Sequence, residues 1–112
     1  MVPHACLVSA LGRALEGDHV IFFGESATHA AELYKFAEEL APTSCLFRRT
    51  NGAQEILSDC GGSLSFLSVS SHAVRGRVCS RVYVPAGIDD AAMQQIAPSV
   101  VTSKDAAVIG YL

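Results

Sequence analysis

The feature that most restricts the fold of this chain is a short, continuous apolar segment placed between two amphipathic segments. Residues 19–24 read HVIFFG, a run of β-branched and aromatic side chains that ends at a glycine. Such runs are typical of strands that are buried on both faces of a sheet. We therefore predict a buried strand over residues 19–24.

The segments on either side of this strand have the periodicity of helices. Over residues 2–16 the apolar residues recur at intervals that place them on one helical face. A second helical pattern begins after Ser26 or Thr28, either of which can cap it, and ends at Pro42. The order of helix, strand and helix indicates an α/β fold with a parallel sheet.

The middle of the chain has the composition of short strands joined by tight turns. Residues 44–50 and 54–59 are predicted strands, and the Asn51-Gly52 dipeptide between them favours a hairpin. Residues 63–70 alternate between apolar residues and serines, which predicts an antiparallel insertion or an edge strand. The remaining predicted elements are a polar loop at 71–77, a strand at 78–84, a short helix at 88–100 and a strand at 106–112.

These elements predict one α/β domain over residues 1–112, with a mainly parallel sheet, helices on both faces and an antiparallel hairpin insertion. Half of the residues are apolar and only 17% are charged, which suits a folded core rather than disorder. No apolar run approaches the ~18 residues that a membrane-spanning helix requires. No secretory signal is visible either, so we expect no membrane contact, a cytoplasmic location and reduced cysteines.

The charged residues exclude one class of function and leave a local basic cluster. Eight basic and eleven acidic residues give a net charge of −3, which disfavours bulk polyanion binding. Four arginines of the middle third are the predicted contact residues, suited to carboxylate or phosphate groups. They are Arg48, Arg49, Arg75 and Arg77. The alternative is that these arginines are exposed and pair with Glu55, Asp59 or Asp89.

The motifs of the common cofactor and metal sites are missing from the sequence. It contains neither a GxxxxGK[ST] phosphate loop nor a GxGxxG motif, and its four cysteines form no CxxC pair. We therefore expect no metal and no cofactor. A small enzyme that uses Cys60 or Cys79 with His72 is a remaining alternative, although no sequence pattern supports it.

Three longer stretches resemble one protein family. HVIFFGESATHAAELYKFAEELA, RRTNGAQEILSDCGGSLSFLSVSSHAVRGRVCSRVYV and MQQIAPSVVTSKDAAVIGYL are similar, in this order, to successive parts of the motor ATPase of bacteriophage large terminases. The resemblance covers most of the chain and implies an incomplete P-loop NTPase-like core. It places the Walker B strand of the family at residues 78–84, just after the loop that contains Arg75.

The sequence departs from this family where the family performs catalysis. Pro85 and Ala86 stand where the two Walker B acids are expected, and Asp89 and Asp90 come too late to replace them. Phosphoryl transfer needs a phosphate cradle, a metal and a positioned water. We therefore expect a phage-encoded, non-catalytic interaction module that binds a packaging motor or a host protein, or that forms a homodimer. The alternative is a nucleic-acid-binding accessory protein that uses the arginine patch.

Overall fold

The secondary structure follows the predicted order along the described part of the chain. The computed structural model describes residues 4–49, 54–69, 80–86 and 107–111. The predicted turn at Asn51-Gly52, the loop at 71–77 and the helix at 88–100 lie outside these residues. The described elements are α1 (His4–Leu15), β1 (His19–Gly24), α2 (Ala27–Leu40), β2 (Leu46–Arg48), β3 (Gln54–Leu57), β4 (Ser63–Ser68), β5 (Arg81–Pro85) and β6 (Ala107–Tyr111).

The six strands form one mixed sheet in the order β2-β3-β4-β1-β5-β6. Strands β4, β1, β5 and β6 run parallel to one another, whereas β2 and β3 join β4 as an antiparallel meander. This arrangement confirms an α/β fold with a mostly parallel sheet and an antiparallel hairpin. The apolar strand β1 lies in the middle of the sheet, between β4 and β5.

The serine-rich strand pairs antiparallel with β3, as one of the two predicted alternatives requires, but the other alternative, an edge position, is wrong. Strand β4 lies inside the sheet, and every residue from Ser63 to Leu67 is buried. The serines are accommodated because they are small and find hydrogen-bond partners: Ser63 Oγ lies 3.0 Å from His19 Nδ1, and Ser65 Oγ donates to the Glu55 carboxylate at 3.1 Å. Alternation of serine and apolar residues therefore marks a central strand here.

Both described helices pack against the same face of the sheet. They contact each other as well as β1 and β4, and their buried residues share one hydrophobic cluster with Val20, Phe22 and Phe66. Residues of the opposite face, such as Phe23 and Val82, are also buried. The predicted third helix lies outside the described residues, so helices on both faces stay a prediction. Neither α1, with 12 residues, nor α2, with 14, is long and apolar enough to cross a membrane.

The core is centred on the aromatic ring of Phe22. This ring stacks on Tyr83 at a centroid distance of 5.1 Å and contacts Tyr111 at 4.9 Å and Phe66 at 5.9 Å. The two tyrosine hydroxyls also have partners, since Tyr83 Oη bonds with Ser9 Oγ and Tyr111 Oη donates to the Phe23 carbonyl. Each of the four parallel strands thus supplies one aromatic side chain to this cluster, and Tyr83 joins the cluster to α1.

The turn between β3 and β4 is held tightly against the end of α1. The amide of Ser63 donates to the Asp18 carbonyl at 2.9 Å, and the Cys60 thiol donates to the Leu15 carbonyl at 2.9 Å. At Gly62, a Cβ atom would lie only 1.9 Å from the carbonyl oxygen of Ala14. A glycine is therefore needed at position 62 for space, because the two backbones meet there without room for a side chain.

Candidate interaction surface at the edge of the sheet

Strand β2 is an outer strand of the described sheet, and its residues face in different directions. In the described part of the chain it pairs only with β3, in a register that sets Leu46 opposite Leu57 and Arg48 opposite Glu55. Leu46 is 69% exposed and Arg48 is exposed, whereas Phe47 is half-buried against the core. The outer backbone of this strand is where another strand can pair.

The most exposed large apolar side chain of the described residues belongs to this strand. Among the described residues, the large apolar side chains that are exposed are Val8, Phe36, Leu40 and Leu46. Three of the four lie between residues 36 and 46, in the second half of α2 and at the beginning of β2. We call β2, with its exposed residues Leu46 and Arg48, the β2 surface. Phe36 and Leu40 are each two residues from Glu38, so they lie on the side of α2 away from the carboxylate that contacts Arg49.

Arg49 is held at one end of this surface by a carboxylate of α2. Its Nε donates to Glu38 Oε2 at 3.0 Å, and its guanidinium carbon lies 6.0 Å from the centroid of the Phe47 ring. The hydrogen bond from Arg49 is the main reason why the pKa of Glu38 is lowered. Arg49 thus pairs with Glu38, which is none of the acidic partners expected from the sequence.

Two of the four predicted contact arginines lie in the described part of the chain. Arg48 and Arg49 lie together at the end of β2, as adjacent residues must, and Arg48 forms no ion pair with any residue in the described ranges. Its cross-strand neighbour Glu55 accepts a hydrogen bond from Ser65 instead. Arg75 and Arg77 lie outside the described residues, so a patch of all four arginines stays a prediction.

The turn at the carboxyl end of β1 is a compact strand-to-helix connection. Ser26 caps α2, since its Oγ accepts from the amide of His29 at 3.1 Å, and the amide of Glu25 donates to His29 Nδ1 at 2.9 Å. A Cβ atom at Gly24 would lie 2.6 Å from the amide nitrogen of Ala30. The turn is closely packed and capped by its own side chains, with Glu25 exposed beside it.

Of the residues suggested for thiol chemistry, Cys60 lies in the described part of the chain. Cys6, Cys45 and Cys60 are free thiols, and Cys60 Sγ lies 2.9 Å from Ser58 Oγ. His72 and Cys79 lie outside the described residues, so the dyads drawn with them stay untested. Within the described ranges, His, Cys, Asp and Glu side chains form no group of three or more.

Sequence reasoning missed a polar cluster formed by Tyr34, Glu38 and Arg49. Tyr34 and Glu38 are four residues apart on α2, a spacing that places two side chains on the same helical face. That spacing is a signal for contact between these two residues. No pattern in the neighbouring sequence predicts that Arg49 joins them, because its position beside Glu38 depends on the path of the chain from α2 into β2.

Comparison of the chain with protein-family models, with curated proteins and with solved structures found no match in any of the three. The resemblance to the terminase motor therefore stays a prediction from the sequence. The function has to be argued from the geometry of the described residues.

Proposed function

We propose that this chain is a non-catalytic, phage-encoded interaction module with an ATPase-like core, and that the β2 surface is its binding face. The observation that supports the proposal is the 69% exposure of Leu46 on an outer strand of the described sheet. The partner in this proposal is a second copy of the chain or a protein of the packaging motor or the host. A cytoplasmic location belongs to the same proposal.

Self-association through β2 has a simple symmetric form. Two β2 strands that pair antiparallel about a two-fold axis at Phe47 would set Leu46 of one copy beside Arg48 of the other. The aliphatic stem of an arginine can cover a leucine while its guanidinium stays in water. Full burial of a leucine side chain contributes about 1.5–3 kcal/mol. Because β2 has only three residues, we expect a dissociation constant of roughly 1–100 μM.

The arginines supply polar contacts at the end of this surface. Arg48 is exposed and forms no ion pair within the described residues, which leaves its guanidinium available for a carboxylate. Arg75 and Arg77 enter the proposal as further contact residues on sequence grounds alone. Nucleic-acid binding is the weaker alternative, because Arg49 is already paired with Glu38 and the chain has a net charge of −3.

Sedimentation velocity over about 0.5–200 μM protein tests the proposal, since this range brackets the expected dissociation constant. The wild-type chain should change from monomer to dimer, and Leu46→Lys should remain monomeric because it places a charge in the interface. Val8→Lys is the matched control: Val8 is 49% exposed on α1, outside the β2 surface, and its replacement should leave the dimer intact. A wild-type monomer at ~100 μM, or equal loss of dimer in both variants, would overturn self-association through β2.

A further inference from the structure

The exposed face of β2 carries an apolar side chain and a positive charge two residues apart. Leu46 and Arg48 lie on the same side of the strand, because side chains alternate along it, whereas Phe47 lies on the other side and packs against the core. Leu46 is 69% exposed, and Arg48 is exposed as well. A partner that matches this face needs an apolar side chain and a negative charge at the same spacing.

The neighbour of β2 inside the sheet shows the pattern that fits such a face. In the antiparallel register, Leu57 of β3 lies opposite Leu46. Glu55 lies opposite Arg48, and Ile56 between them is buried. Along β3, the residues that face β2 are therefore an acidic residue, an apolar residue and a second apolar residue.

The charge of Arg48 is not used by this neighbour. Glu55 accepts a hydrogen bond from Ser65 Oγ at 3.1 Å, and Arg48 forms no ion pair with any carboxylate in the described ranges. The next residue, Arg49, is paired with Glu38 instead. Because a guanidinium group can bind a carboxylate through two parallel hydrogen bonds, Arg48 offers a ready contact for an acidic side chain at the edge of the described sheet.

The backbone of β2 supplies the other half of the contact. Within the described sheet β2 pairs with β3 alone, so its outer side presents N–H and C=O groups to a further strand. A strand added there antiparallel to β2 continues the β2-β3-β4 meander. In that register the residue opposite Arg48 comes two positions before the residue opposite Leu46 in the sequence of the added strand.

We propose that the β2 surface binds an extended segment of another protein, in which an acidic residue is followed two positions later by a leucine or a similar apolar residue. The carboxylate pairs with Arg48, the apolar side chain covers Leu46, and the backbone extends the sheet. This inference rests on the proposed function, because it uses the same surface. A second β2 strand would place an arginine beside Leu46 and leave Arg48 without a carboxylate, so the acidic segment fits the surface better.

A peptide titration followed by NMR of the isotope-labelled chain tests this inference. The probe is a short blocked peptide with glutamate, valine and leucine at its centre and threonines on both sides, at a protein concentration where sedimentation shows mainly monomer. We expect saturable shifts of the backbone amide signals of Leu46, Phe47 and Arg48, with a dissociation constant on the order of 1 mM. No saturable shift by about 10 mM peptide would refute the inference.

Two control peptides test the order and the charge of the segment. One has the three central residues in reverse order, so that an antiparallel strand cannot set its acid opposite Arg48 and its leucine opposite Leu46 together. The other has lysine in place of glutamate, which brings like charges together. Each should bind about tenfold more weakly than the first peptide. Equal affinity for either control peptide would overturn the inference.

Two variants that each remove one positive charge separate the role of Arg48 from the net charge of the chain. Arg48→Gln should weaken binding of the glutamate peptide about fivefold and remove the preference for glutamate over lysine. Lys35→Gln is the matched control, because Lys35 is exposed on α2 outside the β2 surface, and it should leave the affinity unchanged. Equal weakening in both variants would refute the contact with Arg48.

The same measurements distinguish this inference from the proposed function. If no peptide binds but the wild-type chain forms a dimer that Leu46→Lys abolishes, the β2 surface is a binding face and the acidic segment is the wrong partner. If no peptide binds and the chain also stays monomeric, both the inference and self-association through β2 are refuted.

Discussion

The sharpest stability prediction concerns Gly62, where the β3–β4 turn meets the end of α1. In Gly62→Ala the new methyl group would lie 1.9 Å from the carbonyl oxygen of Ala14 and 2.9 Å from that of Asp18. Both contacts are with backbone atoms, which cannot rotate away as the end of a side chain can. The turn and the helix end must therefore separate by roughly 1 Å.

The cost of this separation has two parts. Overpacking of a tight site costs about 1–3 kcal/mol. Moving the turn also strains the bonds from the Ser63 amide to the Asp18 carbonyl and from the Ser58 amide to the Gly62 carbonyl, both 2.9 Å long and each worth about 1 kcal/mol. We expect a loss of about 3–5 kcal/mol in the free energy of unfolding, from a total that is typically about 5–15 kcal/mol.

Urea unfolding followed by circular dichroism measures this loss directly. Gly12→Ala is the matched control, because Gly12 is an exposed helix residue at which a Cβ atom meets nothing within 4 Å. The same substitution there should raise stability by up to about 1 kcal/mol, since alanine favours the helix. If Gly62→Ala unfolds within about 1 kcal/mol of wild type, the close approach of the two backbones is wrong.

Two further predictions concern catalysis and pH. The purified chain should hydrolyse no ATP above background in a phosphate-release assay, because its sequence lacks a phosphate loop; magnesium-dependent turnover that Asp89→Asn abolishes would contradict this. The hydrogen bond from Arg49 lowers the pKa of Glu38. The ionised carboxylate therefore stabilises the fold at any pH above the ordinary glutamate pKa. This stabilisation is lost as the pH falls through the lowered pKa. Glu38→Gln should therefore melt no more than a few degrees below wild type at pH 7, and this difference should shrink as the pH falls through the lowered pKa; a difference that stays constant on acidification would contradict this.

The elements that local sequence determines were predictable. The bounds of β1 follow from a run of apolar side chains that ends at Gly24, and the start of α2 follows from Ser26, whose hydroxyl caps the helix. Both signals lie within a few residues of the element that they define. Patterns of this range need no knowledge of the partners that the element finds later.

The features that depend on distant partners were not predictable. The interior position of β4 comes from its pairing with β1, and buried serines follow from hydrogen bonds to His19 and Glu55 that the alternation of residues does not reveal. The pairing of Arg49 with Glu38 has the same origin, because it depends on where the chain goes after α2. The alternation of residues along a strand cannot show which strands and helices will pack against each of its faces.

The central position of β1 has a consequence for how the chain folds. Its bond to β4 joins His19 to a residue 44 positions later, and its bond to the segment before β5 spans 61 positions, whereas β3 and β4 meet across 10. Closing long loops costs entropy before any contact forms, so the β3–β4 pair should form before β1 joins it. At ~5–20 residues per second, a ribosome needs roughly 2–9 seconds after making His19 to supply its partner Ser63. During that interval the apolar strand β1 has no neighbouring strand to pair with, and unpaired apolar segments of this kind are prone to aggregation.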